Sequence, residues 1–407
     1  MLENYFRDEL VLSRLRNGPM APHLPHLIRA MEEQQFKHRI IRRAIRRVDS
    51  LGCWLEQQGV PLAEADESHV RTFVMQRSRT SIGRLVASGM TRIVPILQQQ
   101  GILNAPEPRT EADCWLQRFD EHLARVHGVC AKARSNYVRY ARRFLALRPG
   151  GALPPWASLG ADEIQAFLQS EMEKMQPGPG RRQPMTAMRA MIRFLATEGS
   201  LSPNLAKAIP AMRDWQHATL PRYFTPEQLD GVLAVCRAHA TISLRDRAIV
   251  LLLARLGMRS GEVRQLRLED VDWTEGTIHI RLGKARHERV LPLPDDVGAA
   301  LVAYLRRERP PSSCRTIFLR SCAPHTTLSS IARIVKHVLQ QAGIAGPGVG
   351  AHYLRHTVAT HLVRQGVPFK EVADILGHRS IETTGIYAKL DVPSLAGIAL
   401  PWPGGVQ

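Results

Sequence analysis

The sequence predicts a mainly helical chain with one small β-sheet, laid out as helical modules followed by a mixed α+β domain. Three observations predict it. Apolar residues recur at three- and four-residue spacings through most of the chain, the period of a helix with one buried face. Only one pair of short alternating runs, 277–282 and 289–293, reads as a β-hairpin joined by a tight polar turn. Proline- and glycine-containing stretches separate these patterns into blocks. At 407 residues the chain is too long for one core. The breaks suggest an N-terminal helical region over 1–106, a second helical domain over 107–208, a linker over 209–222, a mixed domain over 223–395 and a tail over 396–407.

In the first region Ile40, Ile41, Ile45, Val48, Leu51 and Trp54 mark the buried side of a helix. Beside them runs a basic stripe, Arg39, Arg42, Arg43, Arg46 and Arg47, on one face. No acidic series is interleaved to form pairs one turn apart, so the stripe is either a solvated face or a surface awaiting a phosphate backbone.

The second region opens with Thr110 as an N-cap and Glu111 and Asp113 in the first turn. A basic helix follows, with Lys132, Arg134, Arg139, Arg142 and Arg143 among Tyr137 and Tyr140. After a Pro/Gly loop, a last helix carries Arg189 and Arg193. Both regions place a Pro/Gly turn and an acidic-start amphipathic helix after the basic helix, at 63–75 and 160–172, and this reads as a duplicated module.

Beyond the linker IPAMRDWQHATLPR, the run Thr225-Pro226-Glu227-Gln228 has the form of a capping box with proline at N1. Helices are expected near 226–238 and 243–256, then the hairpin, then helices from about 295 onward.

Lys+Arg number 55 against Asp+Glu 37, a formal net charge of +18, which favours a polyanionic partner such as nucleic acid. The six cysteines, at 53, 114, 130, 236, 314 and 322, have no C-x-x-C pairing and read as reduced cytosolic thiols. The N-terminus has no apolar core of a secretory signal, and no apolar run is long enough for a bilayer. The expected compartment is a prokaryotic cytoplasm, with no membrane partner.

The last domain holds the residues that carry chemistry. Arg259 lies in GMRSGEV after an apolar helix, and Lys284 lies at the hairpin turn in GKARHERVLPL. His352 and Arg355 form H-x-x-R in AHYLRHTVATHL, His378 closes ILGH, and Tyr387 sits in TTGIYAKL. In this order and at these spacings the six residues resemble the catalytic set of the phage-integrase family of tyrosine recombinases. The resemblance is close over about 222–390 and looser over about 111–208, where such proteins carry a helical core-binding domain. Two positions depart from the family at the hairpin: Ala285 stands where glycine is frequent, and His287 where lysine is.

The resemblance implies an α+β catalytic domain acting on double-stranded DNA and a homotetramer on paired sites that exchanges strands through a four-way junction; accessory recombinases are candidate further partners. The chemistry suits the residue types. Attack on a phosphodiester builds negative charge on the non-bridging oxygens, which two guanidinium forks, Arg259 and Arg355, can stabilise without a metal. Tyr387 needs a proton acceptor, and His352 is the nearest candidate. In the family, the lysine at the position of Lys284 protonates the departing 5′-oxygen, and His378 would donate to the phosphate. A phosphotyrosyl bond retains the energy of the broken one, so neither cofactor nor nucleotide is expected. Arg39, Arg43, Arg46, Arg47, Lys132, Arg134, Arg139, Arg142, Arg189 and Arg193 are the candidate DNA contacts.

Other readings remain at this stage. His352, His356 and His361 could be read as a metal cluster, but no H-E-x-x-H occurs. A nicking enzyme of the type IB topoisomerase kind shares the tyrosine chemistry, and a DNA-binding regulator could keep the fold without turnover.

Overall fold

A computed structural model describes residues 1–77, 89–90, 93–104, 110–126, 128–147, 153–176, 179–209, 221–238, 241–281, 288–346, 348–378 and 381–387. The chain forms two compact units, one of 1–49 with 215–407 and the other of 50–214.

Helix α1 (Glu9–Asn17) starts where the Asp8 carboxylate accepts from the Leu10 amide at 3.0 Å. It is followed by α2 (Leu24–Glu33) and α3 (His38–Gln57). Helix α3 buries Ile41, Ala44, Ile45, Val48 and Leu51, and leaves Arg39, Arg42, Arg43 and Arg46 exposed. The stripe therefore lies opposite the apolar face, as the helical period requires.

The 50–214 unit contains α4 (Glu67–Arg77), α5 (Glu111–Arg125), α6 (Ala131–Leu145), α7 (Ala161–Glu173) and α8 (Arg182–Thr197). Thr110 caps α5 as expected, its hydroxyl accepting from the Asp113 amide at 3.1 Å. Trp115, Phe119, Phe144, Phe167, Met188 and Phe194 form its core.

In the unit with residues 215–407, the Thr225 box closes in both directions. Gln228 N–H donates to Thr225 Oγ1 at 3.3 Å, and Thr225 N–H donates to Gln228 Oε1 at 3.0 Å. This starts α9 (Pro226–Ala238). Helix α10 (Leu244–Leu256) is buried from Ala248 to Ala254 and forms the centre of the core. The short α11 (Ser260–Gln265) leads to an antiparallel sheet of β1 (Val271–Asp272), β2 (Thr277–Ile280) and β3 (Arg289–Pro292), in that order. Strands β2 and β3 are the expected hairpin, with Ile278 opposite Leu291 and Ile280 opposite Arg289. Strand β1 was not anticipated: two residues carry no alternation to read. The hairpin turn, with Lys284, Ala285 and His287, lies outside the described residues.

Helices α12 (Asp295–Arg307), α13 (Ala332–Gln341), α14 (Ala351–Arg364), α15 (Phe369–Leu376) and α16 (Ile381–Gly385) complete this part. Among the described residues, no helix is long and apolar enough to cross a membrane.

Candidate active site

Arg259 lies where α10 gives way to α11. The helix ends at Gly257 in the left-handed region, φ 60°, and a Cβ there would stand 2.9 Å from Leu376 Cδ2. The chain then turns so that Arg259 becomes the N-cap of α11, its amide donating to Glu262 Oε2 at 2.8 Å. The guanidinium is held from two sides. Nη1 donates to Glu262 Oε1 at 2.9 Å, and Nη2 donates to the Gly377 carbonyl.

Glu262 serves two arginines. Arg289, from β3, donates Nη2 to Oε2 at 2.8 Å and Nη1 to Oε1 at 3.1 Å, while its Nε reaches the Ile375 carbonyl at 2.8 Å. Burial alone would push the Glu262 carboxyl up, but the bonds and charge of Arg289, then the bonds of Arg259, outweigh it and hold the group below its ordinary value. The Arg289 side chain is only 8% exposed, so this ion pair is sheltered from solvent.

Arg355 lies on α14 and is buried. Its Nη1 donates to the Gly257 carbonyl at 2.6 Å and its Nη2 to the Leu376 carbonyl at 2.7 Å. These are the terminal carbonyls of α10 and α15, where helix ends leave acceptors free. Burial first, then the neighbouring charge of Arg259, lowers its pKa to about 10, which leaves it charged at neutral pH. Arg355 is thus fixed by carbonyls on both sides of one junction, Gly257 and Leu376, and Arg259 by the adjoining Gly377 carbonyl together with Glu262.

Gly377 ends α15 at φ 63°. A Cβ on it would meet Arg289 Nη1 at 2.5 Å and Arg259 Nη1 at 3.4 Å. His378 follows, its Nδ1 paired with Thr384 Oγ1 at 2.7 Å. Burial, then Arg355 and Arg259, lowers the His378 pKa to about 4. The ring lies nearly parallel to that of Tyr387, 7° between planes and 6.5 Å between centroids.

Tyr387 is 1% exposed, and its amide donates to the Thr384 carbonyl at 2.9 Å. Burial raises the phenol to about 12, against an opposing pull from Arg355. Its hydroxyl is paired at 2.6 Å with His356 Nδ1. Burial, then the charges of His352 and Arg355, lowers the His356 pKa to about 4, so the ring is neutral and, in the tautomer with its proton on Nε2, accepts from the phenol. His352, one turn earlier on α14, is exposed, and its ring stands 5.9 Å from that of His356 at 90°. Partial desolvation lowers its pKa as well.

Of the six residues expected to carry chemistry, Arg259, Arg355, His378 and Tyr387 come together through these contacts, with His352 at the edge beside His356. Lys284 lies outside the described residues. Sequence reasoning missed Glu262, Arg289, Thr384 and His356 as members of this network. Glu262 and His356 do have a visible signal, standing three residues and one residue from expected arginines, in RSGE and LRHT. Among the described residues no group of three or more His, Cys, Asp or Glu could hold a metal ion.

The candidate DNA contacts divide in two. Arg39, Arg43, Lys132, Arg139 and Arg193 are exposed, Arg139 lying over the Tyr140 ring at 4.8 Å. Arg46 is exposed too, its guanidinium 5.4 Å from the Phe6 ring, and Arg47 is half-buried. Arg134 is bonded to Asp120 at 3.0 Å, Arg142 lies 3.4 Å from Asp113, and Arg189 donates to the Ile209 carbonyl at 3.2 Å. Much of the charge of the α6 helix is therefore answered within the protein.

The fold has solved counterparts. The XerH site-specific recombinase, bound to a palindromic difH substrate in a post-cleavage complex, matches 70% of this chain and 84% of its own, with 20% identity and a TM-score of 0.53. The Tn1549 transposon integrase, in complex with transposon right end DNA, matches 69% of this chain and 99% of its own, with 16% identity and a TM-score of 0.52. The fold is that of the tyrosine recombinases, enzymes that break and rejoin DNA. In sequence, residues 222–392 match the phage integrase family. A Sinorhizobium fredii chain named as an integrase/recombinase, y4rA, is 31% identical over 419 residues, covering both chains completely. A second from that organism, y4rF, is 33% identical over 417 residues, all of this chain and 96% of its own. The tyrosine recombinase XerD of Mycobacterium tuberculosis is 30% identical over 71% of this chain and 96% of its own. The chain belongs to the phage integrase family of tyrosine recombinases.

Proposed function

We propose that this enzyme is a site-specific recombinase of a mobile element, which cleaves duplex DNA with Tyr387, holds the strand as a 3′-phosphotyrosyl bond and rejoins it to a new partner. The observation that carries this reading is one cluster: Tyr387 feels the charge of Arg355 and lies beside His378, which feels both Arg355 and Arg259, and both arginines are tied to backbone carbonyls. A phosphodiester between those arginines meets charge already oriented, so stabilising the transition state requires little rearrangement. With Thr384 O–H donating to Nδ1, His378 keeps an Nε2–H for a non-bridging oxygen. Lys284 at the hairpin turn supplies the proton that the departing 5′-oxygen needs. Neither a metal nor a nucleotide enters the scheme, because the phosphotyrosyl bond retains the energy of the one it replaces.

Residues 107–208 and 223–395 clamp the duplex in this reading, with Lys132, Arg139 and Arg193 on its backbone, and residues 1–106 add DNA or partner contacts through Arg39, Arg43 and Arg46. Four copies act on paired sites, with accessory recombinases as further partners. The mobile-element role is supported by relatives of full length named integrase/recombinase and by a transposon integrase among the structural neighbours.

The test uses nicked suicide duplexes tiled across the DNA flanking the gene. Tyr387→Phe is expected to bind DNA and form no complex that survives SDS. Covalent attachment persisting in that variant would move the role to another residue, with Tyr353 first in line.

A further inference from the structure

Resting on that reading, we propose that His356 is the group that takes the proton of Tyr387 as the phenol attacks the phosphodiester, which makes it a further catalytic residue. The geometry singles it out. The Tyr387 hydroxyl is paired with His356 Nδ1 at 2.6 Å, while His352 sits a turn earlier on α14, exposed and edge-on to the His356 ring. The proton acceptor that sequence reasoning chose, His352, thus stands one helical turn away from the residue that is paired with the phenol. A base must lie within hydrogen-bond reach of its proton, and His356 does so before any DNA arrives.

The surroundings make the contact more than packing. His356 is half-buried, and among the described residues the charged or titratable groups that act on it or touch it are His352 and Arg355 on its own helix, His378 after α15 and Tyr387 after α16. Burial, then His352 and Arg355, keeps the imidazole neutral in the free protein, which is the form able to accept. A phosphodiester seated on Arg355 offsets that positive charge, so substrate itself makes the imidazole more basic when the proton has to move. The phenol is likewise quiet without DNA, since burial holds it at about 12.

The step balances. The Tyr387 O–H bond breaks toward His356 Nδ1, and its electron pair forms the bond to phosphorus. The bond from phosphorus to the 5′-oxygen breaks, and that oxygen leaves with the electron pair and takes a proton from Lys284. Rejoining reverses each transfer: the 5′-hydroxyl returns its proton to Lys284, and the tyrosine oxygen leaves with the proton held by the His356 imidazolium.

The full chain and the same tiled nicked duplexes provide the test. His356→Ala should form covalent complex more slowly by about a hundred- to ten-thousandfold, with DNA binding retained. His356→Asn keeps a polar group of similar reach without the basicity of imidazole, and should be slow as well while preserving the local hydrogen bond that supports folding. Added imidazole should restore rate to His356→Ala. Replacing Tyr387 by a more acidic fluorinated tyrosine should narrow the defect of the His356 variants, because a better-ionised phenol depends less on a base. A purely structural role predicts neither rescue. The proposal fails if the two variants cleave at the rate of the unaltered protein, if their defect is indifferent to both rescues, or if the fluorinated tyrosine narrows the defect of His352→Ala instead. Tyr387→Phe separates the two levels: covalent complex in that variant would sink the nucleophile assignment, whereas its absence beside normal cleavage by the His356 variants would sink this inference alone.

Discussion

At Gly377 two demands meet in one residue. Its φ of 63° is a conformation that side chains avoid, and its missing Cβ leaves room for the Arg289 guanidinium that Glu262 holds against Arg259. Gly377→Ala is therefore expected to cost about 1–2 kcal/mol in backbone strain and also to push Arg289 from its seat. Gly366 is the control, since it has φ 79° and nothing within 4 Å of an added Cβ. Gly366→Ala should lower the melting temperature through strain and leave the cleavage rate alone, whereas Gly377→Ala should lower both. Equal cleavage by the two variants would show that Arg289 does not govern the position of Arg259. At this scale the sequence was only partly legible. Arg259, Arg355, His378 and Tyr387 are recognisable in order along the chain, but the bond from His356 to Tyr387 joins residues 31 apart, and Arg289 lies 27 residues from Glu262. Such partners meet only after the helices have packed, and no local period marks them.

Among the elements, those with a local chemical cause were the readable ones. Thr110 and Thr225 cap the helices expected of them, because a hydroxyl beside an acidic or amide-bearing first turn satisfies free amides without outside help. The β2–β3 hairpin follows from alternation, while β1 forms only because Val271 finds Ile278 across the sheet. That hairpin gives a prediction about its turn. If Lys284 is the general acid, Lys284→Ala should slow cleavage of ordinary DNA by about a hundred- to ten-thousandfold and recover on a duplex whose 5′-bridging oxygen is sulfur. A thiolate departs without a proton, so the acid becomes unnecessary. Arg259→Ala should stay impaired on both duplexes, since its charge acts on the non-bridging oxygens. Equal impairment of Lys284→Ala on the two substrates would turn attention to His287 and Lys336.

Over the whole molecule, the net charge of +18 says that a polyanion is favoured but not which arginines meet it. The structure separates them by what already neutralises them. Arg134 and Arg142 face Asp120 and Asp113, so losing their charge would leave an acidic group unanswered and change the local field in a way unrelated to DNA. Arg39 and Arg43 are exposed on α3 with Arg46 beside them, on the face opposite the buried residues Ile41, Ile45 and Val48. Sequence reasoning found this stripe from its period but left open whether it is a solvated face, because exposure alone is common to both readings. Salt dependence decides between them. Each phosphate contact releases condensed counterions, so converting Arg39, Arg43 and Arg46 together to Gln should reduce the slope of log affinity against log salt by roughly 2 to 3 if all three sit on phosphates. The affinity loss should be largest at low salt and independent of DNA sequence, since backbone contacts carry no base information. Arg134→Gln with Arg142→Gln should change the slope less, their charge being spent within the protein. The measurement is a DNA titration at several salt concentrations, made with the unaltered chain and both variants. An unchanged slope in the triple variant would make the α3 stripe a solvated helix face and leave the contacts of the N-terminal region to be sought elsewhere.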